Sequence, residues 1–338
     1  MSEIISTPLV RRPRRMRLTP ALRALRQETH LHASDFIQPL FVVESPALAG
    51  PVASMPGVRR FALDEVAGAA AAVRAAGVRA VLLFGVPANK DARGRSAADE
   101  NGIVPRAIRA IRRETPDLAI ITDLCLCAYT DHGHCGLVDG GKILNDESLA
   151  VVGDAACAHA SAGADLVAPS GMLDGGVRAI RGALDAAGFV DAGILSYAVK
   201  YASAFYGPFR DAAASAPSFG DRRSHQMDPA NAREAVEEAR LDVEEGADAL
   251  MVKPALAYLD IVRALRDAHP GIPLAAYQVS GEYASLIAGA ERGWLDLRAA
   301  ALETLVSIKR AGADLIVTYF AQRAAQWLKE LEEQESMP

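Results

Sequence analysis

Apolar residues fall along this chain in short runs, separated by longer stretches in which they recur every three or four positions. Eight runs bounded by turn residues predict strands at 36–43, 80–86, 118–125, 166–169, 193–198, 249–252, 274–279 and 315–318. The intervening period predicts helices, among them 64–76, 105–114, 146–162, 177–187, 229–245, 259–268 and 301–311. Strand and helix alternating through eight strands predict an α/β fold, a (β/α)8 TIM barrel. A doubly wound sheet would compete, but neither G-x-G-x-x-G nor G-x-x-x-x-G-K-[ST] occurs. Three passages from helix to strand echo one another: Gly163-Ala164-Asp165-Leu166, Gly246-Ala247-Asp248-Ala249 and Gly312-Ala313-Asp314-Leu315. Glycine there suits a helix end. Residues 1–30, rich in proline and arginine, stand outside the repeat as an extended N-terminal arm, and 31–338 make the catalytic barrel.

A barrel places its chemistry where strands end at their C-termini. Cys125, Ser170, Lys200, Lys253, Ser280 and Tyr319 all fall at or just beyond predicted strand ends. Lys253 closes the apolar run Ala249-Leu250-Met251-Val252 and is followed by Pro254. Burial disfavours ammonium, so such a lysine holds more free amine for attack on a carbonyl. A lone lysine more often snorkels to solvent. Lys200 in a similar setting and a cysteine cluster tilt the balance towards chemistry.

Composition narrows the classes. Hydrophobic residues make up 51% of the 338 positions and charged ones 23%, a globular balance. The net charge of -6 speaks against a nucleic-acid partner, although Arg11, Arg12, Arg14, Arg15 and Arg17 form a basic cluster in the arm. No apolar run approaches the ~18 residues of a membrane span and the start lacks a secretory h-region, so a cytoplasmic protein with no membrane partner is expected. Three of the four cysteines crowd into eleven residues, Cys125, Cys127 and Cys135, beside His132 and His134. Three thiolates with a free fourth position suit catalytic zinc; a histidine as fourth ligand would make the site structural. Cys157, on a predicted helix, reads as a buried inert thiol. After Lys200 a long loop carrying Arg210, Arg222 and Arg223 has the character of an active-site lid, its guanidinium forks suited to carboxylates.

Five motifs stand together: Met251-Val252-Lys253-Pro254, Tyr258-Leu259-Asp260, the block from Cys125 to Gly136, Ala168-Pro169-Ser170 and Lys200-Tyr201. Gly207-Pro208-Phe209-Arg210-Asp211 and Gln278-Val279-Ser280-Gly281-Glu282-Tyr283 extend the pattern to nearly the whole chain. In these motifs the chain resembles the porphobilinogen synthase (5-aminolevulinate dehydratase) family. The resemblance implies condensation of two 5-aminolevulinate molecules to porphobilinogen with loss of two waters, a hydro-lyase step of tetrapyrrole (heme) biosynthesis. It implies Schiff bases at Lys253, with the molecule supplying the propionate side, and at Lys200, with the second. Asp123 would assist proton transfer. Ser280 and Tyr319 would hold the first carboxylate, Arg210 and Arg222 the second, with Ser170 and Tyr201 also binding substrate.

By the same resemblance Zn2+ sits on Cys125, Cys127 and Cys135, an allosteric Mg2+ belongs at Glu238, and the arm builds a homo-octamer. The chain departs from the family pattern at Asp131, Gly171, Gly176 and His225, none of which removes a lysine or a thiol. Two other readings compete: a class I Schiff-base aldolase, which needs neither the second lysine nor the thiols, and a zinc-binding scaffold without activity.

Overall fold

The computed structural model describes residues 11–336; the first ten residues of the expected arm, and residues 337 and 338, lie outside them. Eight parallel strands form the barrel: β1 (Phe36–Val43), β2 (Ala80–Val86), β3 (Ala119–Leu124), β4 (Leu166–Pro169), β5 (Gly193–Lys200), β6 (Ala249–Lys253), β7 (Leu274–Gln278) and β8 (Leu315–Thr318). Each pairs with the next, and β8 returns to β1 through Phe36↔Ile316 and Ile37↔Val317, which closes the sheet. The (β/α)8 barrel expected from the periodicity is therefore the fold. Strands buried along nearly every position explain why the sequence shows continuous Val/Ile/Leu runs here and no alternation.

The predicted helices are present with shifted ends: the segment predicted at 229–245 begins at Arg233, and that predicted at 301–311 begins at Leu297. Helices Ser280–Glu291 and Ala321–Ser336 and the hairpin Leu137–Asp139/Lys142–Leu144 were not predicted. Short or alanine-rich segments give little periodic signal.

The Gly-Ala-Asp echo has a structural meaning. Gly163, Gly246 and Gly312 take positive φ, the left-handed helix ending that costs glycine nothing. The aspartate two residues on then brackets the first residues of the neighbouring strand. Asp165 accepts the Ile120 amide at 2.7 Å, Asp248 that of Ile194 at 2.7 Å and Asp314 that of Leu274 at 2.8 Å. In return their own amides donate to the carbonyls of Ile120, Ile194 and Leu274. Arg112 and Arg266 tie the same glycine carbonyls, at 2.7 and 2.9 Å, to the preceding loops. The strand pairs β3/β4, β5/β6 and β7/β8 are thus clamped at the end away from the chemistry. Before β2 the corresponding position is Arg79, which offers no carboxylate.

Contacts divide the chain at His30/Leu31. Within residues 11–30, a turn of 3-10 helix (Pro13–Arg17) precedes a short helix (Pro20–Ala24) whose first turn is capped by Thr19, accepting from the Leu22 amide. Neither helix buries a residue.

Asp314→Ala leaves the Leu274 amide, at the buried start of β7, without its acceptor. The expected cost is about 1–3 kcal/mol, read as a lower midpoint in denaturant unfolding. Asp314→Asn, which keeps an acceptor, should lose less; an unchanged midpoint in the alanine protein refutes the clamp.

Candidate active site

Lys200 and Lys253 end adjacent parallel strands and are direct register partners. They are the last residues of β5 and β6, with 6% and 4% of their surface exposed. Pairing between these strands slips between Ser196↔Leu250 and Val199↔Val252, so β5 carries one extra residue. That bulge breaks the alternation and lets Tyr197 share the lysines' side. The Tyr197 ring lies 5.7 Å from the Lys200 Nζ and 5.0 Å from that of Lys253. Tyr277, Phe209 and Tyr206 complete an aromatic box around Lys253, with ring centres 4.5, 4.9 and 5.4 Å from its amine.

Desolvation by this box, with the Lys200 charge beside it, lowers the Lys253 pKa to about 7, against the pull of Asp123. Burial also raises Asp123, to about 6, while Lys253 and Lys200 oppose the rise. An amine and a carboxylate poised near neutrality thus act on one another through their charges. Lys200 donates to the Ser170 carbonyl.

Cys125, Cys127 and Cys135 are buried with their sulfurs within 4.8 Å of one another, the only group of three such donors among the described residues. Cys127 is held well below the usual thiol range, first by hydrogen bonds from Cys125 and Cys135 and then by the charges of Arg222 and Lys200. Deprotonated sulfur is what a thiophilic metal binds. The imidazoles lie outside this set: His134 meets the Phe219 carbonyl at 3.1 Å through Nε2, and His132 accepts the His134 amide at 3.1 Å.

The segment after β5 folds over the barrel end as 3-10 helix Ala204–Tyr206, helix Gly207–Ala212 and a long coil. Arg222 is buried and donates to the carbonyls of Gly133 and Ser215. Arg210 is partly buried with its Nε unpartnered. Burial, then the Arg222 charge, lowers the Arg210 pKa, and an anion beside these two guanidiniums would relieve the strain. Ser280 accepts the Phe209 amide at 3.0 Å and donates to the Phe205 carbonyl at 3.3 Å, while Tyr319 shares a 2.9 Å hydrogen bond with Tyr277.

Other sequence candidates lie elsewhere. Tyr201 stacks on Tyr258 at 4.2 Å and donates to the Asn231 carbonyl. Glu238 borders a cavity of about 220 Å³ with Gly171, Gly176, Asp242 and Glu245. Burial, then Asp242 and Asp174, raises its pKa to about 7. Cys157 is only partly buried and Asp131 is exposed. His225 has its Nε2 buried and unpartnered, and burial lowers its pKa to about 4. The aromatic box escaped the sequence reading because tyrosines inside apolar runs read as core.

A barrel mouth with paired buried amines, a carboxylate and a three-thiol centre under an arginine-bearing lid defines a (β/α)8-barrel enzyme. The sequence profile of delta-aminolevulinic acid dehydratase matches residues 10–327. Delta-aminolevulinic acid dehydratases of Halalkalibacterium halodurans and Bacillus subtilis are 55% and 53% identical to the chain. Those matches cover 95% and 94% of this chain and 97% and 98% of theirs. The crystal structure of the Toxoplasma gondii enzyme with its product porphobilinogen superposes with a TM-score of 0.94 at 42% identity, covering 98% of this chain and 95% of that one. The chain belongs to the delta-aminolevulinic acid dehydratase family.

The lid root depends on Gly281. A Cβ there would lie 2.6 Å from the Phe205 oxygen and 2.8 Å from its Cα, both backbone atoms that cannot swing aside. Gly281→Ala should displace Phe205 and the Ser280 contacts and lower the turnover rate on the order of 100-fold, with unchanged circular dichroism. Wild-type turnover would show that this close approach does not position the lid.

Proposed function

We propose that this chain condenses two molecules of 5-aminolevulinate to porphobilinogen and two waters, as a hydro-lyase of tetrapyrrole biosynthesis. The observation that carries the reading is the register pair Lys200↔Lys253, two buried amines for two ketones, with Asp123 opposite them. A single-imine aldolase has no use for the second lysine, and a zinc scaffold has no use for either.

Lys253, its amine about half free near pH 7, attacks the ketone of one substrate; water leaves and an imine forms. Lys200 does the same with the second. Each imine acidifies the adjacent carbon, and Asp123, near enough in charge balance to take or return a proton at pH 7, serves the proton transfers. Ser280 and Tyr319 hold the carboxylate of the Lys253-bound molecule; Arg210 and Arg222 hold that of the Lys200-bound one, with Ser170 beside the Lys200 amine, while Tyr201, its hydroxyl turned to Asn231, takes no direct part. Three buried thiols at this spacing fit Zn2+ on Cys125, Cys127 and Cys135, which when bound supplies a Lewis acid for the second substrate. Orientation and exclusion of water by the box and lid are the protein's own share.

Glu238 suits Mg2+ held through one carboxylate and waters, which would offset the repulsion from Asp242 and Asp174. Residues 1–30 act as an oligomerisation arm and residues 31–338 as the catalytic barrel, in a homo-octamer; the support is that neither described helix of the arm has a buried residue. Among the described residues no helix is long and apolar enough to cross a membrane. Free thiols suit the reducing cytoplasm.

The direct test is porphobilinogen formation from 5-aminolevulinate, with and without a chelator. Chelation should abolish product and zinc restore it, and Cys127→Ser should lose zinc and rate together; full activity of the metal-free protein removes the zinc role. The Lys253 pKa, lowered from its ordinary 10.5 to about 7, sets the pH dependence. Its amine becomes neutral as pH rises through about 7, so borohydride-trapped adduct at Lys253 should rise across that range and level off well below pH 10. Lys253→Ala should abolish adduct at that position and turnover while keeping the fold; a trapping midpoint near 10 would contradict the buried-amine account.

A further inference from the structure

Glu282 is a buried acid, 3% exposed, that the chemistry above does not use. It is the third residue of helix Ser280–Glu291, where a glutamate commonly reaches back to the helix start. One oxygen does so, accepting the Val279 amide at 2.8 Å. The other crosses to a different strand end and accepts the Leu256 amide at 2.7 Å, with the amides of Ala255 and Ala257 also directed at the carboxyl. Those three amides belong to the turn that begins one residue beyond Lys253-Pro254. Val279 immediately precedes Ser280. A single carboxylate therefore bridges the turn behind the imine lysine and the segment carrying the hydroxyl assigned to the same substrate's carboxylate.

Burying an acid whose partners are backbone amides is costly: desolvation raises its pKa to about 7 against their pull. A serine cap would serve the helix end, and an apolar side chain would serve the packing. Neither offers two oxygens spaced to hold two separate segments. The rest of the Lys253 backbone is fixed independently, its carbonyl accepting from the Tyr201 amide at 3.0 Å and the Tyr206 hydroxyl at 3.2 Å. Release of Glu282 would therefore free the turn and Ser280 relative to an otherwise anchored strand.

We infer that Glu282 is a positioning residue that sets the separation between Lys253 and Ser280, so that the ketone and carboxylate of one 5-aminolevulinate reach amine and hydroxyl together. The inference rests on the imine role of Lys253 given above. Glu282 does not touch substrate; it acts through the two groups it spaces.

Glu282→Gln keeps the side-chain size but turns an NH2 group against a donor amide. Val279→Pro removes one bridging amide without touching Glu282, at a φ of -79° that accepts proline, and carries the test if the glutamine protein does not fold. The experiment is borohydride trapping with 5-aminolevulinate on the zinc-loaded full chain, quantified separately at Lys253 and Lys200, with steady-state kinetics. In either variant trapping at Lys253 should fall about tenfold relative to Lys200, and KM should rise more than kcat falls. A Lys253-to-Lys200 ratio equal to the wild type's, or equal loss at both lysines, overturns the positioning role. Absence of Lys253 adduct in the wild-type protein instead overturns the imine reading beneath it.

Discussion

Two amines held side by side away from water are the constraint around which the rest of this protein is arranged. Ammonium groups at adjacent strand ends repel one another and lose hydration, so the fold must either let one go neutral or supply negative charge. It does both: Lys253 is lowered to about 7 inside its aromatic box, and Asp123 stands opposite. The clamped strand ends on the far side of the barrel, held by Asp165, Asp248 and Asp314, give the frame the rigidity to keep this pairing in register.

The charge balance of the site explains the lid. Arg210 and Arg222 bring positive charge to the site, and Asp123 and Cys127 bring negative charge against it. The lid is stitched to the thiol loop at several points: Arg222 to the Gly133 carbonyl, the Phe219 carbonyl to His134, and the Ser218 amide to the His132 carbonyl. Lys90 reaches the Ala214 carbonyl from the loop after β2. The lid segment and the loop that carries the thiols are therefore mechanically joined.

The sequence by itself determined the barrel, because eight apolar runs separated by helical period admit few other arrangements, and it marked Lys200, Lys253 and the three cysteines, whose chemistry is out of place in such runs. It also displayed the Gly-Ala-Asp echo, though only as turn chemistry. The tertiary structure alone decided the aromatic box, since strict alternation puts Tyr197 and Lys200 on opposite faces until a bulge in β5 brings them together. It alone revealed that Glu282 reaches Leu256, 26 residues away in sequence, and so ties two strand ends together, and that Tyr201 turns its hydroxyl to Asn231. Local pattern reports which face a residue prefers; register slips, long-range hydrogen bonds and the electrostatics of burial exist only once separate segments share one interior.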